Sequence, residues 1–226
     1  LNVGHQWRGC RFDLWNYWFD RVSWSSYLQV TKAWRLGEKD WKLHAGVEGM
    51  AQFQLADGGN ADPSKSYFPD QQVYLLGSRL GLAKGSWNMS LNSLHAFGPG
   101  RFTFPTEWGR EQFFATLSRG RMEGLGQFHS LSLRAQKHLH PDWTIGVDLG
   151  HLSAPDFDNF SVNKYQQMSY FQSNLDITWK FHQFLEGLEL RFLYVHKRAY
   201  DADCPKARLY YQADYHHFNL IAQIHF

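Results

Sequence analysis

From Trp41 to Leu55 the chain alternates. Trp41, Leu43, Ala45, Val47, Gly49, Ala51, Phe53 and Leu55 fall on one side, with Lys42, His44, Gly46, Glu48, Met50, Gln52 and Gln54 on the other. A period of two over so many residues marks a strand with one apolar and one polar face. The same rhythm returns with Phe171, Leu175, Ile177, Trp179 and Phe181 opposing Gln166, Gln172, Asn174, Asp176, Thr178 and Lys180. It closes the chain in HHFNLIAQIHF, where Phe218, Leu220, Ala222, Ile224 and Phe226 share a face. Helical periodicity is weak throughout. The pattern predicts ten strands, at 9–17, 25–35, 41–54, 73–84, 87–97, 125–137, 143–152, 166–181, 188–198 and 209–226.

Strands of soluble sheets usually run to about five or six residues. Several of these exceed ten and suit a tilted membrane crossing of roughly 9–11 residues. The connections alternate too. Short turns are expected at 36–40, 84–86, 138–142 and 182–187, and longer segments at 56–72, 98–124, 153–165 and 199–208. Short and long connections on opposite rims are the habit of transmembrane barrels, with the short turns periplasmic. Trp34, Trp41, Trp87, Trp143 and Trp179 adjoin the short turns. Indole favours the membrane–water interface, where its ring is half buried and its N–H stays wet. The expected fold class is therefore all-β, a transmembrane antiparallel β-barrel forming one domain over residues 1–226. The 98–124 connection is either extracellular or folded into the pore.

Composition changes the picture only slightly. Aromatics reach 17% of the 226 residues, while mean hydropathy is −0.50. No run approaches the roughly 18 apolar residues of a membrane helix, but a barrel that alternates its faces keeps a low mean hydropathy. A formal charge of +2 without a basic stripe gives no reason to expect a nucleic-acid partner. Cys10 and Cys204 have no metal-ligand spacing, and the twelve histidines form no ligand set with carboxylates. No metal and no cofactor is expected.

If the apolar faces meet lipid, the opposite faces line a lumen. Its basic members would be Arg11, Lys42, Arg79, Arg134, Lys180, Arg191 and Lys197, and its acidic members Asp13, Glu48, Asp148, Asp176 and Glu189. Twelve charges need water or partners, so a wet interior is expected. Arg79 lies between Gly77 and Gly81, and Arg134 among Ser130, Ser132 and Gln136, so both can project past small neighbours. Guanidinium forks suit passing carboxylates, although internal pairing, such as Arg191 with Glu189, is the alternative. Glu107, Trp108, Arg110, Glu111, Arg119, Arg121 and Glu123 would place both signs of charge at a constriction if the long connection folds inward.

Several segments, in order, resemble the C-terminal half of the OprD family of outer-membrane porins. They are FDLWNYWFDRVSWSSYLQV, FPTEWGRE, RGRMEGLGQFHSLSL, NKYQQMSYFQSNLDITWKF, EGLELRFLYVHK and HHFNLIAQIHF. The resemblance implies an eighteen-stranded barrel of the bacterial outer membrane, a basic ladder serving carboxylate-bearing solutes, and a terminal aromatic strand read by the assembly machinery. On it, the ten strands here are the last ten, and the even count puts both termini in the periplasm. The implied partners are membrane lipid and small solutes, with a homo-oligomer or a lipoprotein partner left open. Two other functions stay open. One is a ten-stranded barrel protease or lipid hydrolase, for which Asp156, Asp158, Asp201, Asp203 and His151 are the candidate rim residues. The other is a docking barrel within a larger complex.

Overall fold

The computed structural model describes residues 1–37, 40–62, 65–68, 72–104, 113–181, 187–200 and 214–224. They form one antiparallel sheet of eleven strands in sequence order: β1 (Asn2–Trp7), β2 (Cys10–Phe19), β3 (Ser23–Leu36), β4 (Trp41–Gln54), β5 (Gln72–Lys84), β6 (Trp87–Phe97), β7 (His129–His140), β8 (Trp143–Ser153), β9 (Tyr170–Lys180), β10 (Leu188–Ala199) and β11 (Tyr215–Ile224). Every strand pairs with its sequence neighbour, so the sheet is a continuous meander. Among the described residues its edges, β1 and β11, do not meet.

The expected ten strands, with both ends on one rim, are corrected by β1. Its six residues pair from Asn2 opposite Trp15 to Trp7 opposite Cys10. Arg8 and Gly9, with φ of 48° and 76°, join it to β2. Two successive residues at positive φ make the type I′ loop whose twist matches the strands it connects. An odd number of antiparallel strands then puts the start of β1 and the end of β11 on opposite rims. Other bounds shift as well, β9 beginning at Tyr170 rather than 166 and leaving Gln166 outside it at a φ of 52°. β2 and β3 turn sharply at 20–22, a short connection on the rim of the long ones, and β7 begins at His129 rather than 125. Leu125, Gly126 and Phe128 look like strand but are drawn into loop packing. Phe102 N–H donates to the Leu125 carbonyl, Gly126 N–H to that of Val162, and Ala96 N–H to that of Phe128.

The period-two reading fixes the two faces correctly. One face is bare. Leu28, Val47, Leu76, Leu80, Leu91, Leu131, Leu133, Val147 and Leu220 all stand exposed on it, Leu220 at 75%. Isolated exposed leucines are ordinary, but a contiguous apolar surface over this many strands marks contact with something other than water. Two aromatic bands bound it. Trp34, Trp41, Trp87, Trp143 and Trp179 lie beside the short turns. Near the other rim Trp24, Phe53, Tyr74 and Phe97 form a row of touching rings, with centroids 5.6–5.9 Å apart. Ten residue steps separate Trp87 from Phe97 on β6, about 33 Å along a strand. At the tilt of about 40° usual in membrane barrels this is a height of about 25 Å, the height of their apolar band.

The other face is covered. Towards the rim of the long connections it holds the core, where Tyr27, Met50, Val73, Leu75, Leu94 and Leu152 from the strands meet Phe68, Phe102, Phe113, Met122, Leu125 and Phe128 from the loops. Towards the short turns the same face is open.

Candidate functional site

The segment from Phe113 to Arg119, inside the longest connection, lies across the covered face like a strap. Phe113 packs edge-on against Tyr27 of β3, with centroids 5.7 Å apart. Phe114 N–H donates to Glu48 Oε1 of β4 at 2.8 Å, and the Arg79 guanidinium of β5 sits 4.3 Å above the Phe114 ring. The Thr116 carbonyl accepts from Arg134 Nη2 of β7. Leu117 lies over Gly150 of β8. The Ser118 carbonyl accepts from Gln172 Nε2 at 2.7 Å and Asn174 Nδ2 at 3.3 Å, both on β9. The Arg119 carbonyl accepts from Lys197 Nζ of β10 at 3.4 Å, and Arg119 Nη2 donates to Asn219 Oδ1 of β11 at 2.9 Å. Upstream, Gln52 and Thr103 exchange two hydrogen bonds of 2.8 and 2.9 Å.

Two glycines seat the strap. A Cβ at Gly46 would come within 2.7 Å of Phe114 Cζ, and one at Gly150 within 2.4 Å of Leu117 Cδ1. A glycine on the polar face of a strand marks a close approach, and these two do.

All twelve charged residues expected on the polar face lie on the covered face, as the register requires. Many are paired. Arg11 grips Asp13 with two bonds of 2.7 and 3.1 Å. Arg191 donates to Asp176 through both Nε and Nη2, which replaces the suggested pairing with Glu189. Glu189 instead faces Lys180 Nζ at 3.8 Å. Arg134 stands opposite Asp148 in the β7–β8 register. Glu48 is buried and accepts from Tyr27 Oη at 2.7 Å and Gln29 Nε2 at 3.4 Å. Lys197 is buried against the rings of Tyr170 and Tyr215. Lys42 is exposed near the short turns.

Below the strap, a cavity of about 630 Å³ opens towards the short-turn rim. Arg11, His44, Arg79 and Arg134 line it together with Ser90 and Gln136. Arg79 donates from Nε to Asn92 Oδ1 at 2.7 Å, which aims the guanidinium between Phe114 and the cavity. With Asp13 engaged by Arg11, the lining offers an anion several cations and neutral donors.

Of the seven residues suggested for a constriction, Glu107, Trp108, Arg110 and Glu111 lie outside the described residues. Arg119 ends the strap. Arg121 and Glu123 belong to the loop packing above it, where Gln167 Nε2 donates to the Arg121 carbonyl at 2.9 Å and Tyr165 Oη to Glu123 Oε1 at 3.1 Å. Two of the rim residues considered for hydrolysis have their side chains engaged elsewhere. Asp156 Oδ1 caps the Asp158 N–H, and His151 Nδ1 bonds Tyr200 Oη at 2.7 Å. Asp201 and Asp203 lie outside the described residues, as does Cys204. Cys10 adjoins the first short turn. Among the described residues no three His, Cys, Asp or Glu could hold a metal.

The uncharged clasps Tyr27, Gln52, Gln172, Asn174 and Ser118 were not singled out by sequence. For Gln52, Gln172 and Asn174 the signal is there, as amides on the polar face of long strands, but nothing local names their partners.

No family model and no curated protein matches the chain in sequence. Solved structures do match in shape. Pseudomonas aeruginosa OccK9 (OpdG) gives a TM-score of 0.71 at 13% identity, over 98% of this chain and 51% of that one. OccK2 (OpdF) from the same organism, in complex with glucuronate, gives 0.70 at 12% identity, over 97% and 55%. OpdK of that organism, with vanillate, gives 0.69 at 12% identity, over 98% and 54%. The fold is that of the OprD-family porin barrel. The chain spans about half the length of the porins it matches, and its open sheet has the shape of part of such a barrel.

Proposed function

We propose that this chain is part of the wall of an outer-membrane channel through which small polar solutes, carboxylates foremost, diffuse passively. The bare face meets lipid, the covered face lines the lumen, and the strap is its constriction. The short-turn rim, where β11 ends, faces the periplasm, and the loop-packed rim faces outward. One observation carries the reading. A segment tied from β3 to β11 narrows the covered face, and directly below it Arg79 and Arg134 open into a basic cavity. Anions gather where cations line a narrow path in low dielectric, and several weak sites in succession let them leave again. Glucuronate and vanillate, the molecules in two of the matched structures, are both carboxylates, which favours that solute class here. Among the described rim candidates, Asp156 caps its own turn and His151 bonds Tyr200, which favours the channel over the hydrolase.

The test is the reversal potential of the full-length protein in planar bilayers under a salt gradient. A channel selective for chloride or benzoate over potassium supports the reading. A protein that inserts and does not conduct refutes it.

A further inference from the structure

The bare face carries a groove of about 420 Å³. Its floor is Leu43, Leu80, Leu82, Met89, Leu91 and Leu133, and Trp41 and Trp87 flank one end. At that end a single register line crosses four strands: Trp41 faces Lys84, Lys84 faces Trp87, and Trp87 faces Lys137. Each ammonium rests on an indole, Lys84 Nζ 4.9 Å from the Trp41 ring and Lys137 Nζ 4.7 Å from the Trp87 ring. Among the described residues, the row and the groove lining contain no carboxylate. Further along β5 and β6 the apolar floor stops at a hydroxyl pair, Ser78 Oγ and Ser93 Oγ, 2.8 Å apart. Six residue steps separate Lys84 from Ser78, about 20 Å along the strand.

A slot that is apolar along its length and doubly cationic at one end is complementary to an amphiphile with one negative head and one straight tail. The ring contacts hold the two ammonium groups at the interface level, with N–H donors left for a phosphate. We infer that the groove binds one acyl chain of an anionic phospholipid, whose phosphate lies between Lys84 and Lys137. This rests on the bare face meeting lipid. It makes the site selective among lipids rather than merely greasy, and it commits to the leaflet on the short-turn side.

The full-length protein reconstituted in vesicles of equal phosphatidylglycerol and phosphatidylcholine, then released for native mass spectrometry, tests this. Phosphatidylglycerol should be retained preferentially, by roughly fivefold for each lysine. A variant carrying Lys84→Gln and Lys137→Gln should lose the preference while keeping the wild-type conductance in the same vesicles. Either lysine can be changed singly if the double variant inserts poorly. Conducting wild-type protein that retains both lipids equally overturns the inference and leaves the channel standing. Protein that neither inserts nor conducts overturns both. Stronger retention of a phosphorylated lipid A than of phosphatidylglycerol also overturns it, since that lipid belongs to the other leaflet.

Discussion

Phe114 and Glu48 are 66 residues apart in sequence and joined by one hydrogen bond, from a backbone N–H to a buried carboxylate. The same carboxylate holds the Tyr27 hydroxyl, so one side chain fixes the strap to two strands. Buried charge is tolerated only where donors surround it, and here strap and wall supply them together.

Replacing Glu48 by Ala therefore strands two donors. Each group left unsatisfied costs about 1–3 kcal/mol, and the strap loses its tie to β4. The expected outcome is an earlier urea midpoint, together with larger and noisier single-channel conductance. Glu48→Gln, which can still accept one bond, should fall between.

Gly46 and Gly150 test the seating of the strap without touching a charge. Gly150→Val places branched carbon where Leu117 now lies, and Gly46→Ala meets the Phe114 ring. Overpacking of this kind typically costs about 1–3 kcal/mol. Tryptic cleavage after Arg119 should become faster in both variants, whereas Gly49→Ala, with nothing closer than 3.8 Å, should behave as wild type.

Arg79→Ala and Arg134→Ala should each lower anion preference, and the pair should lower it further, read as a shift in reversal potential. The two single variants should differ mechanically. Arg79→Ala also uncovers the Phe114 ring, while Arg134→Ala frees the Thr116 carbonyl, so both should raise conductance. Arg79→Lys should keep much of the selectivity but lose the bond to Asn92 and the flat contact on the ring.

A pH effect is expected outside the membrane band, at the β2–β3 turn. Arg21 Nη2 donates to Asp57 Oδ2 at 2.5 Å, and this hydrogen bond holds the Asp57 carboxyl below its ordinary value. With the folded value below the unfolded one, the contribution of the pair is complete above the unfolded value of about 4. It is lost as pH falls through the folded value. The Gly59 N–H, bonded to the Arg21 carbonyl, should be better protected from hydrogen exchange than in Asp57→Asn above pH 4, and the difference should vanish at lower pH. Because the pair is exposed, the effect should be local and salt-sensitive.

What was legible in the sequence was whatever repeats every two residues. The facing of β4 and β9, the tryptophans beside the short turns and the shared side of the twelve charges all follow from strand geometry. What was not legible depends on contacts between distant residues. Nothing near Ser118 points to Gln172 or Asn174, and nothing near Thr116 points to Arg134. Arg191 was matched with Glu189 because they share a face two residues apart, yet Asp176 on the adjacent strand offers a two-pronged fit. Strand β1 falls outside the ten period-two strands because its six exposed residues, Asn2–Trp7, alternate too weakly to declare themselves. The turn at Arg8 and Gly9, not the pattern, makes them a strand.

The strap also measures the wall it is tied to. From β3 to β11 there are eight strand spacings, an arc of about 38 Å at the usual separation. Six backbone steps from Phe113 to Arg119 reach at most about 21 Å. A chord so much shorter than its arc is possible only if the sheet bends towards it, and an arc of this length bent into a half circle has a diameter of about 24 Å. The strap, with the side chains at its ends, is therefore cut to span a hollow of that width, and lengthening it by a few residues would let the wall relax outward.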